Sequence, residues 1–450
     1  PIARRFVHDR ITYHIIFDIA AIDSWKKSKA VRDRLDRFVG ETEKTVRTQT
    51  DTFGRPEFNE YYFFVNVDPY GGTFDGMEHL SSTRLVYDGS LLKDDAYADL
   101  VGVMSHEFFH IWNVKRLRPA ELGPFDYSRE LYTTLLWFAE GFTQYYGHLM
   151  LRRAGVWDDK TLYSQLADEI NAVDQSPGRF HRNLRESSYD TWQQISARNP
   201  SAPANNLKNT YVNYYPKGAV AAFVLDLEIR RLTNDRRSLD DVMRELYKTH
   251  YQDQEVGAYY LRGTGYSQSD VYAAVDNVAG RAASIFLVRL VEERNEIDYA
   301  RYLRHVGLMI TREPKSGAAK KSKTGKEAPR LFLGLVVADS KTRARSEFVP
   351  ITNVLADSPA ERAGLSSGDL IIAVDGERTD GRHWEAVMEL KRPGERLEIT
   401  FFRGARMLTR TVTPEDVDRR PLRIDVAPNA TVKQRHSRER WLGPRIKADK

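Results

Sequence analysis

The sequence predicts an α+β chain: a small β-sheet and a helical half make up its larger part, and a separate β-rich module follows. Three observations carry this. Aromatic and β-branched runs open the chain, helical periodicity fills residues 93–310, and short β runs divided by turn residues occupy the stretch after residue 330. With 450 residues there is room for about two to four domains, each burying a core.

The elements come in order. Residues 11–20 (ITYHIIFDIA) read as a strand, 24–50 as a charged amphipathic helix, and 60–67 (EYYFFVNV) as a second strand before a glycine-rich turn at 71–76. Residues 94–114 and 127–154 read as successive helices, with further apolar periodicity at 217–232 and 269–294. Residues 313–329 (EPKSGAAKKSKTGKEAP) read as a solvated linker. Gly325-Lys326 within it resembles a phosphate-binding loop only superficially, because the glycine spacing is wrong and Glu327 stands where Ser or Thr is required. Beyond it lie LFLGLVV, VPITNVL, DLIIAVDG, RLEITFFRG and MLTRTVTP, with one short helix at 384–390.

Composition narrows the chemistry. Sixty-eight Lys plus Arg against sixty-three Asp plus Glu leaves +5, too little to imply a nucleic-acid partner. There is no cysteine, hence no disulfide, thiol nucleophile or thiolate metal site; any metal falls to His, Asp or Glu. No run approaches the roughly 18 apolar residues of a membrane span, and no signal-peptide core opens the chain. The first residue is Pro1 rather than Met, so the natural N-terminus is expected to be missing. A cytoplasmic and a periplasmic or secreted location both stay open.

The chemical signal lies in VGVMSHEFFHIWNV. His106 and His110 stand four apart, which stacks both imidazoles on one helical face within reach of one ion. Glu107 between them is placed to take a proton from metal-bound water. Five residues alone are a weak signal, and a third ligand gives it weight. Glu140 is the one charge in LYTTLLWFAEGFTQYY, and a carboxylate among Trp137, Phe138 and Phe142 is costly to bury unless paired or metal-bound. Two His and one Glu leave a fourth position for water, the pattern of a catalytic rather than a structural zinc site.

HEFFHIWN together with WFAEGF resembles the gluzincin metallopeptidases, thermolysin and aminopeptidase N among them. The longer HEFFHIWNVKRLRP is similar to the PDZ-containing glycyl aminopeptidases. Gly76-Met77-Glu78-His79 resembles the substrate-binding strand motif of that group, whose Glu takes the free α-amine. Tyr214-Tyr215-Pro216-Lys217-Gly218 resembles the Tyr-x-Lys-Gly motif, whose Tyr stabilises the oxyanion. The closing NATVKQRHSRERWLG is similar to the family's last segment. The resemblance runs from about residue 40 to 445. It implies a thermolysin-like catalytic domain and one Zn2+ per chain, held by His106, His110 and Glu140. Glu107 and Tyr215 would be catalytic, and Gly76, Met77 and Glu78 would bind substrate. The implied reaction is hydrolysis after small N-terminal residues, glycine or alanine. Tyr214 competes with Tyr215 for the oxyanion role, and packing or an exposed turn competes with both assigned Tyr and Glu roles. His79 departs from the Asn of aminopeptidase N, and 29 residues separate His110 from Glu140, which points to an inserted loop at 115–127.

Residues 330–415 resemble a PDZ domain, most clearly in DSPAERAGL (357–365), GDLI (368–371) and VDG (374–376). Phe332-Leu333-Gly334-Leu335 resembles a carboxylate-binding loop, which would take a peptide C-terminus as an added strand or serve an intramolecular partner. The expected division is 1–20, a remnant of a preceding β domain or its junction; 21–312, catalytic; 313–329, linker; 330–415, PDZ; and 416–450, tail. Two other functions compete with the aminopeptidase: a zinc oligo- or endopeptidase, and a PDZ adaptor with an inert zinc fold.

Overall fold

The computed structural model describes residues 1–19, 27–68, 75–87, 91–198, 205–257, 262–294, 296–312, 331–338, 343, 346–418 and 420–443. The expected linker at 313–329 and all but the last two residues of the glycine-rich turn lie outside them. The chain divides into two compact units, one of residues 1–169, 214–310 and 424–450, the other of 170–213 and 311–423. Among the described residues no helix is long and apolar enough to cross a membrane.

The first unit holds a mixed sheet and most of the helices. Strands β1 (Ile2–His8), β2 (Ile11–Ile19), β3 (Glu60–Val67), β4 (Asp75–Glu78) and β5 (Ser82–Tyr87) lie in the order β1-β2-β3-β5-β4. β2, β3 and β5 run parallel to one another, while β1 and β4 pair antiparallel with β2 and β5 at the two edges. Alternation in β2 and β3 buries Tyr13, Ile15, Phe17, Tyr61, Phe63 and Val65 on one face. β1 and β2, which lie in the stretch expected as a remnant of a preceding β domain or its junction, pair within this sheet.

Helix α1 (Lys29–Phe53) starts where Ser28 accepts the Val31 amide, and it buries Val31, Leu35, Phe38 and Val46. α2 (Asp94–Phe109) is shorter than the expected 94–114. Past Phe109 the chain turns through residues 110–117, held by Val114 and Lys115 amides on the His110 carbonyl and the Leu117 amide on Trp112. The expected helix at 127–154 is corrected as well. Ser128 bonds back to Asp126 and the Leu135 amide to Thr133, local bonds that compete with a helix. Helical winding there comprises a π-helical turn at Trp137–Phe142 and α3 (Thr143–Arg153). α4 (Tyr214–Thr233) and α5 (Leu239–Tyr247) follow, and the segment read at 269–294 is two helices, α6 (Gln268–Ala279) and α7 (Arg281–Glu292), parted at Gly280 with φ +87°. α8 (Val432–Leu442) closes the unit, with Trp441 fully buried against Tyr163 and Phe223.

A buried ionic network joins these helices. Asp226 of α4 accepts from the Tyr145 hydroxyl at 2.7 Å, from Arg230 Nε at 3.0 Å and from the Leu239 amide at 3.0 Å. Trp441 Nε1 donates to the Tyr145 hydroxyl at 2.8 Å, and Arg153 pairs with Asp240 at 2.9 Å.

Behind α2, Gln144 donates to Glu169 at 2.9 Å, and its amide lies 3.3 Å from His148 Nε2. Burial pushes the Glu169 carboxyl up to about 7, the Gln144 bond opposing it, and burial drives His148 down to about 3. The folded state holds the Glu169 proton more tightly than the unfolded chain does. Stability from this group is therefore lost as pH rises from about 4.5 to about 7. His148 acts the other way, losing stability as pH falls from 6.5 towards about 3. Glu169→Gln removes the first slope and leaves the second. Relative to the wild type it is expected to gain about 3 kcal/mol of stability between pH 4.5 and pH 8. Urea unfolding at both pH values checks this, and an equal difference at the two would refute it.

The second unit contains the β-rich module. Strands β6 (Leu335–Val337), β7 (Val349–Val354), β8 (Leu370–Val374), β9 (Leu397–Arg403) and β10 (Arg406–Val412) pair antiparallel in the order β10-β9-β8-β7-β6. Val349, Ile351, Ile371, Ile399 and Phe401 fill its core with Trp384 of the short helix Trp384–Glu389. Asn209 donates to the Val354 carbonyl at 2.8 Å and accepts the Ala356 amide at 3.0 Å, fastening residues around 209 to β7.

Candidate metal centre

α2 delivers the first two candidate ligands because its apolar positions, among them Val101, Met104 and Phe108, pack inward and fix its roll. His106 and Glu107 lie in its last turn and His110 caps it. His106 Nε2 and His110 Nε2 stand 3.0 Å apart, and Glu140 Oε2 lies 3.3 and 3.4 Å from them. Glu140 reaches this point from the π-helical turn rather than from the regular helix the sequence suggests.

Two features outside the expected set hold the cluster. His110 Nδ1 lies 2.7 Å from the Asn113 carbonyl, which can only accept. Nδ1 therefore carries a proton, which leaves Nε2 as the ring nitrogen that faces the cluster. The Asn113 side chain donates to the Phe138 carbonyl at 3.0 Å and to Thr143 at 3.1 Å, tying the end of α2 to the turn bearing Glu140. The second feature is a close approach: a Cβ on Gly141 would fall 2.4 Å from the Gly218 Cα. That packing seats the start of α4 on the π-helical turn. Tyr215 lies in the first turn of α4, its ring centroid 6.1 Å from His106 and its hydroxyl hydrogen-bonded to Glu140. Tyr214 stacks on Tyr215 at 5.0 Å.

Gly76 and Glu78 alternate on the edge strand β4 and so share a face. A Cβ at Gly76 would stand 2.1 Å from Glu107 Oε1, so only glycine lets the strand lie this close. Glu78, Glu107 and His110 each bring a polar atom within 4.8 Å of the others. Met77 is on the opposite face, 51% exposed, and stays outside the cluster. His79 gives its amide to the Ser82 carbonyl and closes the β4–β5 turn. Glu78 Oε1 is paired at 2.9 Å with Lys115 Nζ, which lies 4.6 Å from the Phe125 ring centroid. Lys115 and Phe125 belong to the 115–127 segment expected as a loop.

The electrostatics favour a cation. Burial pushes Glu107 up to about 8, with His110 opposing and Glu78 and Glu140 reinforcing. Burial would raise Glu140 too, but the two imidazoles hold it far below the usual carboxylate range. His110 would be lowered by burial, yet Glu140, Glu78 and Glu107 raise it to about 10. A pocket that draws positive charge onto an imidazole also suits a divalent ion. Tetrahedral ligands 2.0–2.1 Å from zinc stand about 3.3 Å apart, close to the 3.0, 3.3 and 3.4 Å edges of the donor triangle. The residues fit the ion. Burial and Glu140 raise Tyr215 well above its ordinary range, so its hydroxyl remains a donor.

A family model described as M61 glycyl aminopeptidase matches residues 99–221, and a PDZ-domain model matches 351–403. Among solved structures, an aminopeptidase N family protein from Idiomarina loihiensis aligns with TM-score 0.80 at 24% identity, covering 98% of this chain and 70% of its own, which shows a shared fold. An M1 zinc metallopeptidase from Deinococcus radiodurans aligns with TM-score 0.35 at 16% identity, over 66% of this chain and 53% of its own. HhoA of Synechocystis, a protein bearing a serine-protease name, is 40% identical over 63 residues, 14% of this chain. The chain spans 16% of the length of that curated relative.

Proposed function

We propose that this zinc metallopeptidase, an M61-type catalytic region joined to a PDZ domain, is an aminopeptidase that releases small N-terminal residues such as glycine and alanine. One observation carries the reading: Glu78 on the edge strand stands beside Glu107 and His110, so an amine-binding carboxylate adjoins the hydrolytic groups. In this reading His106, His110 and Glu140 hold one zinc ion, which when bound polarises the scissile carbonyl and lowers the pKa of water to roughly 7. Glu107 accepts the proton of the attacking water at its carboxylate and returns it to the leaving amine. Tyr215 gives its O–H to the carbonyl oxygen as negative charge develops there. Glu78 takes the substrate's α-ammonium and sets which bond lies before Glu107. The PDZ domain adds a second peptide contact along β6, the end strand of its sheet.

The test compares free with N-acetylated glycyl, alanyl and leucyl peptides, with and without a chelator. Acetylation is expected to lower kcat/KM by about 10–100-fold, the worth of a charge-assisted bond, and chelation to abolish turnover. Equal rates on free and blocked peptides would point to an oligo- or endopeptidase with the same centre. Activity untouched by chelation would contradict zinc catalysis, and no activity with no retained zinc would leave the adaptor reading.

A further inference from the structure

We propose that Lys115 is a positioning residue for amine recognition: its ammonium clamps one oxygen of Glu78 and leaves the other presented to the substrate's α-ammonium. This rests on the amine-binding reading of Glu78 given above. Glu78 ends a four-residue edge strand and has three side-chain torsions, so nothing in β4 itself fixes its carboxylate. Burial and the Glu140 carboxylate disfavour its charge, while His110 and Lys115 favour it, and of these two Lys115 also hydrogen-bonds to it. Lys115 supplies what is missing. Nζ meets Glu78 Oε1 at 2.9 Å, with the lysine side chain 8% and the glutamate side chain 18% exposed.

The clamp is itself held. The Lys115 amide bonds to the His110 carbonyl at 3.0 Å, fixing its backbone to the end of the ligand helix. The Phe125 ring lies under the ammonium at 4.6 Å, a cation–π contact that keeps it from swinging out. A buried ammonium needs a counter-ion, and Glu78 is the carboxylate that meets it. A carboxylate has about four lone-pair sites, so one oxygen can serve Lys115 while the other receives a second ammonium.

Lys115→Met, Glu78→Gln and the double variant test this in the full chain, with zinc content and melting temperature measured alongside. Lys115→Met is expected to raise KM for a free alanyl peptide about tenfold with kcat within about threefold. The free-to-acetylated ratio of kcat/KM should fall by a similar factor, and Lys115→Arg should recover much of it. In the Glu78→Gln background Lys115→Met should have no further effect on KM, because the group it positions is gone. Equal losses on free and acetylated peptides, or effects that add in the double variant, would overturn the proposal. Should Lys115→Met fail to fold, Phe125→Leu serves instead: a smaller fall in the same ratio is expected, and an unchanged ratio counts against the clamp. A ratio unmoved by Glu78→Gln would strike the aminopeptidase reading itself, a different failure.

Discussion

Glu107→Gln is expected to lower kcat by about 10²–10⁴-fold while the protein keeps about one zinc per chain. The substitution preserves size, so Gln fits where Gly76 leaves room for the native carboxylate. In the proposed mechanism it removes the acceptor for the water proton, a transition-state role that leaves ground-state peptide binding, and hence KM, largely in place. Metal analysis and steady-state kinetics on one preparation check both halves. Full activity would end the assignment of Glu107 as base, and loss of zinc would mean that its charge holds the ion. Tyr215→Phe should fall short of that loss, near the 10²–10³ expected of one oxyanion donor.

Asp226→Asn is expected to destabilise the first unit by about 3–5 kcal/mol. The amide is nearly the same size, so the loss is electrostatic. Arg230, almost fully buried, loses its paired charge, and the Tyr145 hydroxyl and Leu239 amide lose a carboxylate that accepts from both. Denaturant unfolding followed by tryptophan fluorescence is suited to the test, since Trp441 donates to the same Tyr145 hydroxyl. A change below about 1 kcal/mol would show that water or a shifted partner replaces the carboxylate.

The parts legible in the sequence are those set by local periodicity. His106 and His110 declare themselves because a spacing of four puts two residues on one helical face, and Glu60–Val67 because alternation of aromatics suits a strand. Glu140 was legible as a buried carboxylate, but not its π-helical turn, since an apolar run looks alike whichever carbonyl each amide meets. The end of α2 escaped notice for a related reason. Asn113 reads as one polar residue in an apolar helix, yet its bonds run to carbonyls 25 and 26 residues away. Lys115 carries no local signal, because only the fold brings β4 and its Glu78 beside it. Tertiary hydrogen bonds and edge-strand placement leave little trace in a linear pattern.

The burial of Trp441 has a consequence for how the protein comes into being. The helix bearing it is encoded after the whole PDZ segment, yet it covers Tyr163 and Phe223 in the unit that holds the candidate metal centre. While the ribosome is still translating the PDZ region, those rings and the Tyr145 hydroxyl lack their cover. That part of the first unit's core therefore closes only after the PDZ segment has been made, so completion of the unit is timed by the arrival of α8.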